Sequence, residues 1–183
     1  MLSMEERKSM LKLARDTVYA KLHSQRLPSY KPVSSLVSEP RGAFVTIHKK
    51  GKLRGCIGYV EAIKPLWQTI QEMAISSAFQ DPRFPSLSKN EYDDIDIEIS
   101  VMSPVKRISN LDEIEVGTHG IIIKKGYQQG LLLPQVATAE GWDRDTFLQH
   151  TCYKAGLIGE CWKEKGTEVF IFSAEVFSEK SFQ

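Results

Sequence analysis

The sequence predicts an α+β fold, a mainly antiparallel sheet packed with helices. Two segments, 42–57 and 120–133, have the layout of β-hairpins: strand formers, a short polar turn, then strand formers again. Ile95-Asp-Ile-Glu-Ile-Ser-Val101 alternates, with Ile95, Ile97, Ile99 and Val101 on one face and Asp96, Glu98 and Ser100 on the other. Strands and helices do not alternate strictly along the chain, which argues against a parallel sheet built from βαβ units.

Each element has its own local cause. The first is a helix from about Met4 to Leu22: Ser3 and Glu6 have capping-box spacing, and Leu11, Ala14, Val18 and Leu22 recur on one face. From Pro28 to Pro40 three prolines and four serines dictate a loop or extended connector. In the first hairpin Lys49–Lys52 form the turn, where Gly51 can take positive φ. Pro65 opens a second helix whose stripe is Leu66, Ile70, Met73, Ala74 and Ser77. It ends before Asp81-Pro-Arg-Phe-Pro85, a rigid loop. Asp143 caps a last helix that runs through Phe147, Leu148 and Cys152 to a stop near Gly156. Glu168–Val176 closes the chain as a strand.

The chain has 183 residues, the length of one domain. Its 24 Lys and Arg against 23 Asp and Glu leave a net charge of +1, which supplies no global attraction to nucleic acid or anionic lipid. The one basic cluster is Lys49, Lys50, Lys52 and Arg54, around a hairpin turn. No apolar run approaches the ~20 residues of a membrane span, and the N-terminus lacks the apolar core of a signal peptide. A cytoplasmic location is expected. Cys56, Cys152 and Cys161 are an odd number without a C-x-x-C pair, so reduced thiols are expected, with no disulfide framework and no structural zinc.

Candidate chemistry concentrates in Leu53-Arg-Gly-Cys-Ile-Gly58. Gly55 and Gly58 bracket the cysteine, marking close approach by a ligand or by another piece of backbone. Arg54 lies two residues from Cys56 and would project to the same side of an extended strand, favouring a thiolate. A nucleophilic cysteine needs a base, and His119, in the turn Gly117-Thr-His-Gly120, is the best-placed histidine; Glu98 is the alternative, free to pair with Arg54 or Arg83. Arg83 can hold an anion or a carboxylate, and Gln135 follows a strand, where its amide can read a polar ligand. No metal-ligand spacing, Walker loop, dinucleotide fingerprint or G-x-S-x-G elbow occurs, so no cofactor is indicated.

Several ordered segments resemble the AMMECR domain family. They are Gly42-Ala-Phe-Val-Thr46, the hexapeptide Leu53–Gly58, and Ala78-Phe-Gln-Asp-Pro-Arg-Phe-Pro85, with Ser86 where a further proline is common. Next come Ile97-Glu-Ile-Ser-Val101 with Ser103-Pro104, then His119-Gly120, Leu132-Leu-Pro-Gln-Val136, Gly141-Trp142 and Cys152-Tyr-Lys-Ala-Gly-Leu157. The resemblance covers about residues 5 to 178 and implies a single domain of two unequal lobes, with the hexapeptide facing a cleft between them. Arg54, Cys56, Arg83, Glu98, His119, Gln135 and Cys152 all fall inside these segments, which favours a binding or catalytic role for them. The family has no established activity. Its prokaryotic members are often encoded beside a MEMO-like protein and a radical S-adenosylmethionine protein, so the resemblance implies a shared pathway with one of these as partner. Three readings follow: a small enzyme or modification-pathway component with Cys56 as nucleophile or redox thiol, a non-catalytic ligand- or protein-binding adaptor, and a nucleic-acid binder, disfavoured by charge.

Overall fold

The structure, a computed structural model, describes residues 1–32 and 34–182. In chain order the elements are α1 (Met4–Leu22), α2 (Ser35–Ser38), β1 (Ala43–Lys49), β2 (Lys52–Tyr59), α3 (Leu66–Phe79), β3 (Ile95–Met102) and β4 (Lys106–Ile108). There follow β5 (His119–Lys125), β6 (Gln128–Leu132), α4 (Pro134–Glu140), α5 (Arg144–Lys154) and β7 (Thr167–Ser178). The described strand pairings are antiparallel, as the hairpin pattern predicts. The chain forms two compact units, Met1–Met102 with Glu175–Gln183, and Ser103–Ala174.

In the first unit β1 lies between β2 and β3. Helices α1 and α3 pack on each other and on these strands. The alternation of β1 and β3 decides which face is covered: Ala43, Val45, Ile47, Ile97 and Ile99 are fully buried with Met10, Val18, Leu66 and Ile70 of the helices. Burying each of the larger of these side chains stabilises the fold by about 1.5–3 kcal/mol relative to exposure. The intervening Phe44, Thr46, His48, Asp96, Glu98 and Ser100 are half-buried on the opposite face. The capping box of α1 is made as its spacing predicts: Ser3 Oγ accepts the Glu6 N–H at 3.2 Å, and Glu6 Oε2 accepts the Ser3 N–H at 2.6 Å. At the β1–β2 turn Lys50 (φ 50°) and Gly51 (φ 78°) are both left-handed, the pattern of a tight hairpin.

In the second unit β5 lies between β6 and β7, and β4 pairs the other edge of β7. Ile121, Ile123, Phe147, Leu148, Val169 and Ile171 form its core. Asp143 Oδ1 accepts the Thr146 N–H at 2.8 Å, so α5 starts where the capping pattern places it. Helix α4 is an element the local reading passes over; Pro134 fixes the φ of its first residue and turns the segment after β6 into a helix.

The cysteines correct the expectation of three reduced thiols. Cys152 and Cys161 form a disulfide with Cα atoms 6.0 Å apart, sealed in the core of the second unit. The pair joins α5 to a 3-10 turn (Cys161–Lys163), and their separation of 9 residues bridges a chain reversal that no short cysteine motif announces. Closing a loop of this length stabilises by about 2–3 kcal/mol. Urea unfolding with excess dithiothreitol is therefore expected to show that loss, and a chromogenic thiol reagent should count one thiol in the unfolded, unreduced chain and three after reduction. Coincident unfolding curves would contradict the assignment.

Candidate functional site

The site is built on β2, whose one described strand partner is β1. An edge strand leaves backbone groups unpaired, and here two side chains meet them. The Cys56 N–H donates to Asp81 Oδ2 at 2.9 Å, and the Cys56 carbonyl accepts from Arg83 Nη2 at 3.1 Å. Asp81 Oδ1 accepts the Arg83 N–H at 3.1 Å and Arg83 Nε at 2.9 Å, while Oδ2 accepts Arg83 Nη2 at 2.7 Å. Asp81 is 4% exposed, and its carboxylate is tolerable there because the groups around it, two backbone N–H groups and the Arg83 guanidinium, are donors. The Arg83 fork above all, with the two backbone N–H bonds, holds the carboxyl well below the usual carboxylate range against the opposing effect of burial. The local sequence explains the geometry: Pro82 disfavours helix at Asp81, and an Asp side chain readily accepts the N–H two residues on.

A second carboxylate anchors the start of the hexapeptide. Arg54 donates from Nε to Glu91 Oε1 at 3.0 Å and from Nη2 to Oε2 at 3.1 Å, and Lys49 Nζ reaches Oε1 at 2.9 Å. Glu91 sits in a 3-10 turn (Lys89–Asp94) and accepts the Ser88 N–H at 3.0 Å. Arg54 first, with Lys49 and Ser88, pulls its pKa well down against burial. Phe84 lies beside both guanidinium groups, 6.0 Å from Arg54 Cζ and 5.5 Å from Arg83 Cζ. Both arginines thus have carboxylate partners, and neither partner is Glu98. Within the basic cluster Lys50 also meets Asp94, at 3.3 Å.

The glycines of the hexapeptide permit close packing. A Cβ on Gly55 would fall inside the contact distance of the Ser77 carbonyl oxygen of α3, and one on Gly58 would strike Ala43 and Phe44. Close helix–strand approach is pinned by Ser77 Oγ, which accepts the Ile57 N–H at 2.9 Å and donates to the Val45 carbonyl at 2.6 Å. On the half-buried face, Thr46 Oγ1 donates to Cys56 Sγ at 3.2 Å. Thr46 registers with Cys56 on one side and Glu98 on the other, so the three residues form one cross-strand row. Cys56 is the free cysteine.

The second unit holds the remaining candidates. His119 is the first residue of β5, paired with Ser173, not a residue of a loose turn. Its Nδ1 accepts the Glu115 N–H at 3.1 Å, so in the neutral ring the proton is on Nε2. Gln135 is exposed in the first turn of α4. Cys152, expected to face a ligand, has its sulfur in the buried disulfide. Among the described residues no three His, Cys, Asp or Glu side chains gather as a metal site, and no helix is long and apolar enough to cross a membrane.

The AMMECR1 family profile matches residues 11–177. The chain belongs to the AMMECR1 family. A protein of Methanothermobacter thermautotrophicus is 45% identical over 187 residues, covering 97% of this chain and 96% of its own. One of Methanopyrus kandleri is 43% identical over 188 residues, covering 98% and 91%. The crystal structure of an uncharacterised protein from Pyrococcus horikoshii is similar, with a TM-score of 0.79 and 37% identity over 94% of this chain and 90% of that one. In this AMMECR1 protein, sequence reasoning missed Asp81, Glu91 and Thr46. Asp81 carries a signal in its Asp-Pro step, and Ser88-Lys-Asn-Glu91 has capping-box spacing; Thr46 is found only through strand register.

Because both carboxyl pKa values are depressed on folding, their stabilisation is complete above the unfolded values of about 4 and is lost as pH falls through them toward the folded values. Asp81→Asn is expected to cost about 2 kcal/mol at pH 7 and to flatten the acid limb of the stability curve, read from urea midpoints. A variant curve parallel to the parent would contradict this. Gly55→Ala should cost about 3 kcal/mol or prevent folding, because the Ser77 carbonyl is backbone and cannot move aside.

Proposed function

We propose that the first unit is a thiol-dependent site in which Cys56 acts as a nucleophile toward a small ligand seated along the row Cys56, Thr46 and Glu98. One observation supports this above the others. The backbone of Cys56 is anchored on both sides by Asp81 and Arg83, while its thiol stays free and half-buried on a polar face. Edge backbone needs partners whatever the side chain, but these two also fix the position of the thiol, which a reacting group requires. The thiol proton passes to a carboxylate, for which Glu98 is the candidate on the row, and Sγ adds to a carbonyl carbon of the ligand: the S–C bond forms as the C=O π bond breaks, and the carbonyl oxygen takes the electron pair and then the proton. The Thr46 hydroxyl hydrogen bond stabilises the charged sulfur.

Arg83 is the cation left to meet an anionic group of the ligand, since its side chain is 54% exposed whereas Arg54 is 11% exposed. His119 and Gln135 have no part in the step as written. The protein would work in the cytoplasm as a component of a modification pathway, with a MEMO-like or a radical S-adenosylmethionine protein as partner. The buried disulfide is consistent with that location where intracellular proteins are disulfide-rich, as in hyperthermophiles.

The test is alkylation of native protein by iodoacetamide, with the modified peptide identified by mass. Cys56 should label faster than in the urea-unfolded chain, and Thr46→Val should slow native labelling by about 3–10-fold. Native labelling slower than in the unfolded chain, and unchanged by Thr46→Val, would reduce Cys56 to a packed thiol and leave the adaptor reading.

A further inference from the structure

We propose that the second unit carries a separate binding site for a small planar aromatic anion, in a cavity beside Trp162. The cavity measures about 600 Å³ and is formed wholly by residues between Arg107 and Val169. That volume lies within the range of small-molecule sites.

Strand lengths create the opening. β4 ends at Ile108, opposite Val169, while β7 begins two residues earlier at Thr167, so the end of β7 has no β4 neighbour. Ile108 and Val169 supply an apolar floor at this step, with Leu111 beside them. Trp162 is the aromatic side chain lining the cavity, carried by the 3-10 turn Cys161–Lys163. The disulfide from Cys161 to Cys152 ties this turn to α5, and the half-buried indole packs against the core of the second unit while lining the cavity. A ring laid on it keeps favourable stacking geometry without ordering a mobile wall.

Charge on the lining sets the polarity of the ligand. The lining carries two cations, Arg107 and Lys163, and one carboxylate, Glu168. Arg107 Nη1 meets Glu168 Oε1 at 2.8 Å and the side chain remains 66% exposed, so other guanidinium donors are open to a second acceptor. Lys163 meets Glu160 at 2.7 Å; Arg107, whose planar fork can hold a second carboxylate-like group bidentately, is the deciding cation. A planar carboxylate or sulfonate satisfies both requirements, its ring on Trp162 and its anionic end on Arg107.

Indole-3-carboxylate is the probe, titrated into the full chain and followed by amide chemical shifts. Saturable shifts are expected at 107–111 and 162–169. Affinity should fall by about fivefold or more for indole-3-carboxamide, for cyclohexanecarboxylate and for Arg107→Gln. Trp162→Phe, which keeps a ring for the fold, should bind more weakly by a smaller factor. No saturable shift by about 10 mM would overturn the proposal. So would equal binding of the neutral amide, equal binding of the non-aromatic acid, or unchanged affinity in Arg107→Gln.

Discussion

A strand with a free edge presents backbone donors and acceptors that must find partners, and at Cys56 both partners come from one short loop. Asp81 takes the N–H and Arg83 takes the carbonyl, so two side chains do the work of a neighbouring strand. The buried Asp81 carboxylate is the pivot. Without its donors it would be an uncompensated buried charge; with them it fixes Arg83. Phe84 next to Arg83 also lies beside Arg54, and Arg54 in turn engages Glu91 and the segment from Ser88. The hexapeptide is thus held from its start and its middle by two carboxylates distant in sequence.

What the sequence made legible is what local physics decides. The capping box of α1, the two hairpins and the alternation of β3 depend on residues within a few positions of one another, and they lie where the pattern placed them. The disulfide, the bulge between Ile47 and His48, and the carboxylate that receives Arg54 depend on tertiary contacts. For Arg83 the partner was two residues away, and the Asp-Pro step hinted at it. For Arg54 the partner was 37 residues away, with only the capping spacing of Ser88 and Glu91 as a trace.

The same contacts redistribute the chemistry assigned to the hexapeptide. Gly55 and Gly58 are places where α3 and β1 come close, so the glycines belong to the scaffold. The arginines balance carboxylates. Cys56 is left as the free thiol, with Thr46 as hydrogen-bond donor and Glu98 next along the row. The cations near the thiol are engaged by carboxylates, and what remains on the polar face is a thiol with an anchored backbone. AMMECR1 membership fits this arrangement, since the family profile spans both units.

Native-state hydrogen exchange at the Cys56 amide tests the anchoring most directly. An amide held by a buried carboxylate should exchange as slowly as those of β1, and Asp81→Asn should accelerate Cys56 far more than the amides of β3. Rapid exchange at Cys56 in the parent protein, or equal acceleration throughout the first unit in the variant, would contradict the account.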